Sequence, residues 1–278
     1  MGVIAWTTWV RGRGQLIGWG VAVFLWALLV MSLYDTVAAN QQMFQQLLAA
    51  YPPQFEAFFG DLGAFATVEG FLSLEFFSFM PLLLGVFAVL GGSWLLAGDE
   101  ERGLLELYLS NPISRLSFFA GRVVGLVALI LALLGIGFLG LAIPMGPSSL
   151  DLPLLHLARP FVSLFALLSV YSALGLFLSQ ALPSGRMAAM GSGLALIAGY
   201  LFTVLGRLSE DSETASRFTP FAYYQTGEAL SGLNWTWVGG LLAVALGLTI
   251  MAGVLFQRRD LRVAGEGSLG AVSPAAPA

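Results

Sequence analysis

Long apolar runs alternate with short polar segments along the chain, and six of these runs are long enough to cross a membrane. An α-helix rises about 1.5 Å per residue, so roughly 20 mainly apolar residues cross a hydrocarbon layer about 30 Å thick. The pattern therefore predicts an all-α polytopic membrane protein with six transmembrane helices, at residues 15–34, 71–97, 123–143, 161–179, 187–206 and 237–256. Residues 1–262 form one transmembrane domain in this interpretation, and residues 263–278 are expected to be a disordered cytoplasmic tail because they are mostly Gly, Ser, Ala and Pro.

The residues before the first run indicate a short helix on the membrane surface. Trp6 and Trp9 stand beside Arg11 and Arg13, and tryptophan next to arginine is typical of the lipid headgroup level. We therefore predict an N-terminal interfacial elbow helix ahead of the first span. A disordered terminus is the alternative for this stretch. For the first apolar run a cleaved signal peptide is the alternative, although the run is longer than the usual ~7 to 15 residues of such peptides.

The arginines are distributed unequally between the two sides of the six-span arrangement. Nine of the 12 fall on the side of the termini, and only Arg159, Arg207 and Arg217 fall on the other. Because cytoplasmic loops carry an excess of basic residues, we expect both termini to be cytoplasmic. The formal net charge is -4 and no basic face is present, which argues against a nucleic-acid partner.

Two segments on the side opposite the termini are rich in aromatic residues. Residues 51–62 combine a Tyr-Pro-Pro start with three phenylalanines, and residues 218–224 read FTPFAYY. The first pattern predicts a short amphipathic helix on the membrane surface. The second predicts an aromatic run that settles at the membrane interface or dips into this interface.

Composition limits the chemistry of this chain. It has no cysteine, which excludes disulfides, thiolate metal sites and cysteine nucleophiles. A serine nucleophile needs a base to activate it. The only histidine, His156, is expected near the external end of a different helix from the one that carries Ser192, so Ser192 has no such base. We therefore predict no catalytic residue, metal site or cofactor here. The sequence also has no lysine, so it cannot contain the GxxxxGK[ST] phosphate-binding loop, and ATP chemistry is expected from another chain.

A few polar residues within the predicted spans are candidates for a translocation path. Intramembrane acids mark ion or substrate paths, and Glu75 is the one carboxylate that the spans place in the membrane. Glu75 lies in the first two turns of its span, so a hydrated interface is the alternative. Hydroxyl groups can line a cavity, although hydrogen bonding between helices is their commoner use. The candidate path comprises Glu75, Ser78, Tyr171, Ser172 and Ser192.

The segment between the second and third spans has the pattern of a short amphipathic helix. Its acidic start at residues 99–101 favours a helix N-terminus, and Asn111-Pro112 ends the helix. The pattern predicts a rod with Leu104, Leu107 and Tyr108 on one face. Such a rod can dock into a groove of another protein. A plain interfacial linker is the alternative.

Residues 98–115, GDEERGLLELYLSNPISR, resemble a segment of the permease subunits of type 2 ATP-binding-cassette (ABC) transporters, the exporter-like class. The resemblance lies in a glycine, three acids, Arg-Gly, then Leu-Glu-Leu-x-Leu-Ser and x-Pro-x-Ser-Arg. It extends to residues 70–81 at the start of the second span and to residues 218–224. Leu104 departs from the family pattern, because a threonine often follows the glycine there, and this puts a polar contact at that position in doubt.

This resemblance implies a function and a set of partners. The chain would be the permease of an ABC transporter that moves a substrate, by export, across the plasma membrane. ATP and Mg²⁺ would bind a separate P-loop ATPase subunit in two copies, and a second permease copy, identical or different, would complete the transporter. Membrane lipids would surround it. A secondary transporter or channel that acts without an ATPase is the alternative function.

The resemblance also implies that the cytoplasmic segment is the coupling helix that contacts the ATPase subunit. The residues that would make this contact are Asp99, Glu100, Glu101, Arg102, Gly103, Leu104, Glu106, Leu107, Ser110, Pro112, Ser114 and Arg115.

Overall fold

The computed structural model describes residues 1–40, 42–43, 46, 67–110, 113–145, 152–208 and 216–258. Within these ranges the regular structure is helical, without a strand. Six helices are long and apolar enough to cross a membrane, which confirms the predicted all-α polytopic fold. The surface helix predicted in residues 51–62 and the predicted tail at 263–278 lie outside the described residues.

The spanning helices extend beyond the predicted apolar cores at most of their ends. The first span is α1 (Gly2–Ala39), and the second combines α2 (Val68–Leu72), a π-helical turn (Ser73–Phe77) and α3 (Met80–Trp94). Short helices α4 (Ala97–Glu101) and α5 (Leu104–Leu109) follow. The remaining elements are α6 (Arg115–Met145), α7 (Leu154–Ala181), α8 (Gly185–Leu208), a 3-10 turn (Pro220–Tyr223), α9 (Glu228–Ser231) and α10 (Trp235–Arg258).

The first span corrects the prediction of a separate elbow helix, because α1 is one continuous helix of 38 residues. Its first turns contact two glycines of α6. A Cβ atom on Gly121 would lie 2.8 Å from the Cβ of Ile4, and one on Gly125 would lie 2.5 Å from the Cβ of Thr8. Small residues allow such close approach of membrane helices, so the N-terminal turns stay against α6 and continue the span.

Contacts between the spans fix their relative directions. Helices α1 and α6 run parallel, since Ile4 lies at Gly121 and Ala27 at Gly140. Helices α3 and α8 run antiparallel, because close contacts pair Gly85 with Leu196 and Trp94 with Gly185. The start of α6 lies at the end of α10, where Arg115 Nη1 donates to the Gln257 carbonyl at 3.5 Å. These directions are those of spans that alternate across a membrane.

Helix α7 is the most enclosed span. Of its most apolar 18 residues 67% are buried, against 28% for α8 and α10. It contacts α3 at backbone distance, because a Cβ atom on Gly92 would lie 2.0 Å from the Ser172 carbonyl oxygen. Gly175 of α7 in turn faces α3, where a Cβ atom on it would lie 2.8 Å from Ser93 Oγ and 2.9 Å from the Val89 carbonyl oxygen. The bundle is therefore assembled around α3 and α7, whose backbones come close together because glycines stand at their contact points.

The segment between α8 and α10 folds back into the bundle. The Tyr224 hydroxyl donates to the Phe77 carbonyl at 3.0 Å, and the Gln225 amide donates to Ser163 Oγ at 2.9 Å. Burial raises the pKa of Tyr224 well above its ordinary value, so this donor keeps its proton. The Phe221 ring lies 5.6 Å from that of Tyr171 in α7. Phe221 and Tyr224 thus pack the aromatic run of residues 218–224 into the bundle, whereas Phe218 is 86% exposed.

Candidate functional site

Two short helices, α4 and α5, connect α3 to α6 at the arginine-rich end of the bundle. They are separated by Arg102 and by Gly103, which has a φ of 68°. This left-handed conformation favours glycine and ends a right-handed helix. The prediction of one continuous rod from Glu100 to Ser110 is therefore wrong, and the chain turns at Gly103 instead. The second span also ends earlier than predicted, at Trp94, because α4 is a separate helix.

The predicted apolar face of this segment is also distributed differently. Leu105 is buried, with 3% of its surface exposed, whereas Leu107 is 65% exposed. Leu104 and Tyr108 are half-buried, and the Tyr108 ring lies 5.6 Å from that of Phe118 in α6. Leu105 and Tyr108 thus seat α5 on the bundle, while Leu107 presents a large apolar side chain to the outside.

Asp99 in α4 lies at the centre of a polar cluster in which Asp99, Arg122 and Thr8 are buried and Arg11 is exposed. Its carboxylate accepts from Arg11 Nη1 of α1 at 2.8 Å through Oδ1, and its Oδ2 pairs with Arg122 Nη2 of α6. Arg122 Nη1 donates to Thr8 Oγ1 at 3.1 Å, and Arg11 Nη2 donates to the Tyr108 hydroxyl at 2.6 Å. Buried charges persist only when they are paired in this way. We call these five side chains the Asp99 cluster.

Aromatic rings support the two arginines of the Asp99 cluster. The guanidinium carbon of Arg11 lies 5.5 Å from the ring centroid of Tyr108, and that of Arg122 lies 5.6 Å from the centroid of Phe118. Such contacts attract a cation through the quadrupole of the ring. They help to accommodate two positive charges around one carboxylate, and the cluster consequently links α4 and α5 to both α1 and α6.

Other residues of the predicted coupling segment divide into buried and exposed groups. Glu100 is buried like Asp99. Glu101 Oε1 accepts from the Gly185 amide at 3.2 Å, and so connects α4 to the start of α8. Arg102 and Ser110 are exposed, and Ser110 Oγ donates to the Leu107 carbonyl at 2.9 Å. The side chain of Glu106, and Pro112 as a whole, lie outside the described structure.

The last two residues of the segment lie at the start of α6. Ser114 Oγ accepts from the Ser117 amide at 3.2 Å, as a helix N-cap does. Arg115 is half-buried and faces the end of α10. These contacts fix the end of the segment that contains α4 and α5, in the same way that Glu101 fixes its beginning.

Sequence reasoning missed Thr8, Arg11 and Arg122 as parts of this site, since it used Arg122 only for topology and Arg11 only for topology and the surface helix. One signal was present, because Arg122 follows the first turns of a long apolar run. A charge inside a span needs a partner, and the three acids at residues 99–101 lie at the same end of the neighbouring span.

The candidate path residues do not form one group. Ser192 Oγ donates to the Ala188 carbonyl at 2.6 Å and lies 3.3 Å from Ser93 Oγ, between α8 and α3. Tyr171 and Ser172 are buried in α7. Ser78 Oγ donates back to the Ser73 carbonyl at 2.5 Å. Glu75 is half-exposed on another face, and its carbonyl accepts from Trp26 Nε1 at 3.0 Å.

A family model described as ABC-2 family transporter protein matches residues 3–261. The chain belongs to this family. Since the match covers nearly all of a chain with six apolar helices, this ABC-2 protein is a multi-pass membrane protein and a permease component of an ABC transporter. Membership of the family implies association with an ATP-binding subunit. A search of curated proteins gives no match.

Proposed function

We propose that this ABC-2 permease exports its substrate with energy from a separate P-loop ATPase subunit that docks on α4 and α5. The observation that carries the proposal is an exposed apolar residue, Leu107, on a helix that the Asp99 cluster connects to two spans. Apolar side chains in the centre of an interface supply much of its binding energy. The connections of α5 through Tyr108 and Leu105 would pass a displacement of this helix into the bundle.

The arginine distribution supports a cytoplasmic position for this docking surface. Arg11, Arg102, Arg115 and Arg122 all lie at the end of the bundle that carries α4 and α5. The positive-inside rule assigns such an end to the cytoplasm, where ATP is present. The protein would then lie in the plasma membrane with both termini in the cytoplasm.

In the proposed mechanism, the contacts of α4 and α5 with the neighbouring spans transmit movement to the bundle. Closure of two ATPase subunits on ATP and Mg²⁺ would displace α5, and the Asp99 cluster would carry this movement to α1 and α6. Because α4 directly follows α3, the second span would move with it. A second permease copy would respond in the same way, so that a cavity between the copies changes from inward-facing to outward-facing.

Copurification tests the ATPase partner and the docking surface together. Leu107→Glu places a charge on the proposed interface and is compared with Leu155→Glu, because Leu155 is 71% exposed at the opposite end of the bundle. We expect a P-loop ATPase to copurify with the wild-type chain and with Leu155→Glu, and at least tenfold less with Leu107→Glu. Transport by the chain alone, without an ATPase, would instead support the secondary-transporter alternative.

A further inference from the structure

One face of the second span is an exposed apolar stripe that begins at an acid. Glu75 is half-exposed, and the apolar side chains that follow at helical spacing are 37% to 43% exposed. Residues three or four apart share one face of a helix, so these positions form a continuous stripe. Its members are Glu75, Phe79, Leu83, Val86, Leu90 and Trp94.

The stripe lies between two other spans. Phe87 contacts Trp19 of α1 at 6.2 Å between ring centroids, and Gly85 faces Leu196 of α8. Because successive residues of a helix are about 100° apart, these neighbours of Val86 point to opposite sides of it. The stripe is therefore the exposed face of α3 that lies between α1 and α8.

The carboxylate of Glu75 has no hydrogen-bond or ion-pair partner among the residues that the structure describes. It lies in the π-helical turn, seven residues or about 10 Å after the start of α2. Arg159, the basic residue of α7 at this end, instead donates to the Leu230 and Ser231 carbonyls at 2.9 and 3.1 Å. A carboxylate in apolar surroundings is stabilised by a cation that reaches it.

We propose that the substrate is an organic cation with an apolar body, bound by Glu75 and by the stripe below it. This inference rests on the proposed function. From Glu75 to Val86 the stripe extends over 11 residues, or about 16 Å, which fits the apolar body of one small molecule. Trp26 and Phe79 add aromatic surface beside the carboxylate, since both are exposed and the Trp26 indole is bonded to the Glu75 carbonyl. Aromatic rings near an anion further favour a cation.

Two probes of equal shape and opposite charge test this substrate class. Saturable binding of tetraphenylphosphonium and of tetraphenylborate is measured on the permease–ATPase complex in phosphatidylcholine nanodiscs. The binding of each probe to empty nanodiscs is subtracted. The variant is Glu75→Gln, which keeps the shape of the side chain and removes its charge. The control is Glu228→Gln, at an exposed acid of the same end.

We expect saturable binding of the cation alone, about tenfold weaker in Glu75→Gln and unchanged in Glu228→Gln. A tenfold change corresponds to about 1.4 kcal/mol, a modest value for a partly buried charge pair. Equal affinity of Glu75→Gln and wild type, no saturable cation binding, or equal binding of the borate would overturn the proposal. ATP hydrolysis by the same complex, measured without probe, separates the outcomes: hydrolysis without cation binding refutes only the substrate class, whereas failure to obtain a complex refutes the proposed function.

Discussion

Asp99 joins three helices through two arginines, and its side chain is only 5% exposed. Replacing it by asparagine would leave Arg122, itself 6% exposed, without an anion in an apolar environment. Removal of one partner from a buried ion pair typically costs about 3 to 5 kcal/mol. We expect Asp99→Asn to lower the free energy of unfolding by about that amount, measured by SDS titration of the purified protein.

A second substitution separates the ion pair from other effects at Asp99. Asp99→Asn combined with Arg122→Gln removes both buried charges, so we expect the double variant to be more stable than Asp99→Asn alone. Glu228→Gln serves as the exposed control and should change stability by less than about 0.5 kcal/mol. If Asp99→Asn behaved like this control, the Asp99 cluster would not hold α4 in place.

Glycine contacts decide where whole helices meet. A Cβ atom on Gly92 would lie 2.0 Å from the Ser172 carbonyl oxygen, whereas one on Gly239 of α10 would have no atom within 4 Å. We therefore expect Gly92→Ala to separate α3 from α7 and to reduce the yield of monodisperse protein several-fold in size-exclusion chromatography. Gly239→Ala should elute like the wild type. Equal profiles for the two variants would show that α3 and α7 are not in backbone contact.

The elements differ in how far local sequence determines them. The six spans follow from the length and apolarity of each run, both of which are local. The continuity of α1 was not predictable, because it depends on Gly121 and Gly125 more than 100 residues away, in a chain with 34 glycines. The break at Gly103 had a local signal, but the acidic start and the Asn-Pro end favoured a single helix between them.

The Asp99 cluster also lay beyond local reasoning. Arg11 and Asp99 are 88 positions apart, and Thr8 and Arg122 are 114 apart. Their meeting depends on α1 and α6 running parallel, which places both arginines beside α4. Leu107 is exposed because Leu105 and Tyr108 are the residues of α5 that pack on the bundle. The pattern of apolar residues alone does not show which of these side chains faces the bundle.

At the scale of the whole molecule, the six spans place α4 and α9 at opposite ends of the bundle. Since the chain has no cysteine, single variants Ser110→Cys and Ser231→Cys report these ends without background, and both positions are exposed. We expect a membrane-impermeant maleimide added to intact cells to label Ser231→Cys and to label Ser110→Cys only after permeabilisation. Labelling of both from the same side would refute the six-span topology.

Photo-crosslinking in living cells, from the position of Leu107, tests whether α5 is the surface on which the ATPase subunit docks. A benzophenone amino acid is introduced at position 107 in α5 and, as a control, at position 155 in α7, both exposed in the structure. After irradiation, the crosslinked products are identified by mass spectrometry. We expect a P-loop ATPase to be captured from position 107 and not from position 155. No ATPase at position 107, or equal capture from both positions, would contradict this expectation.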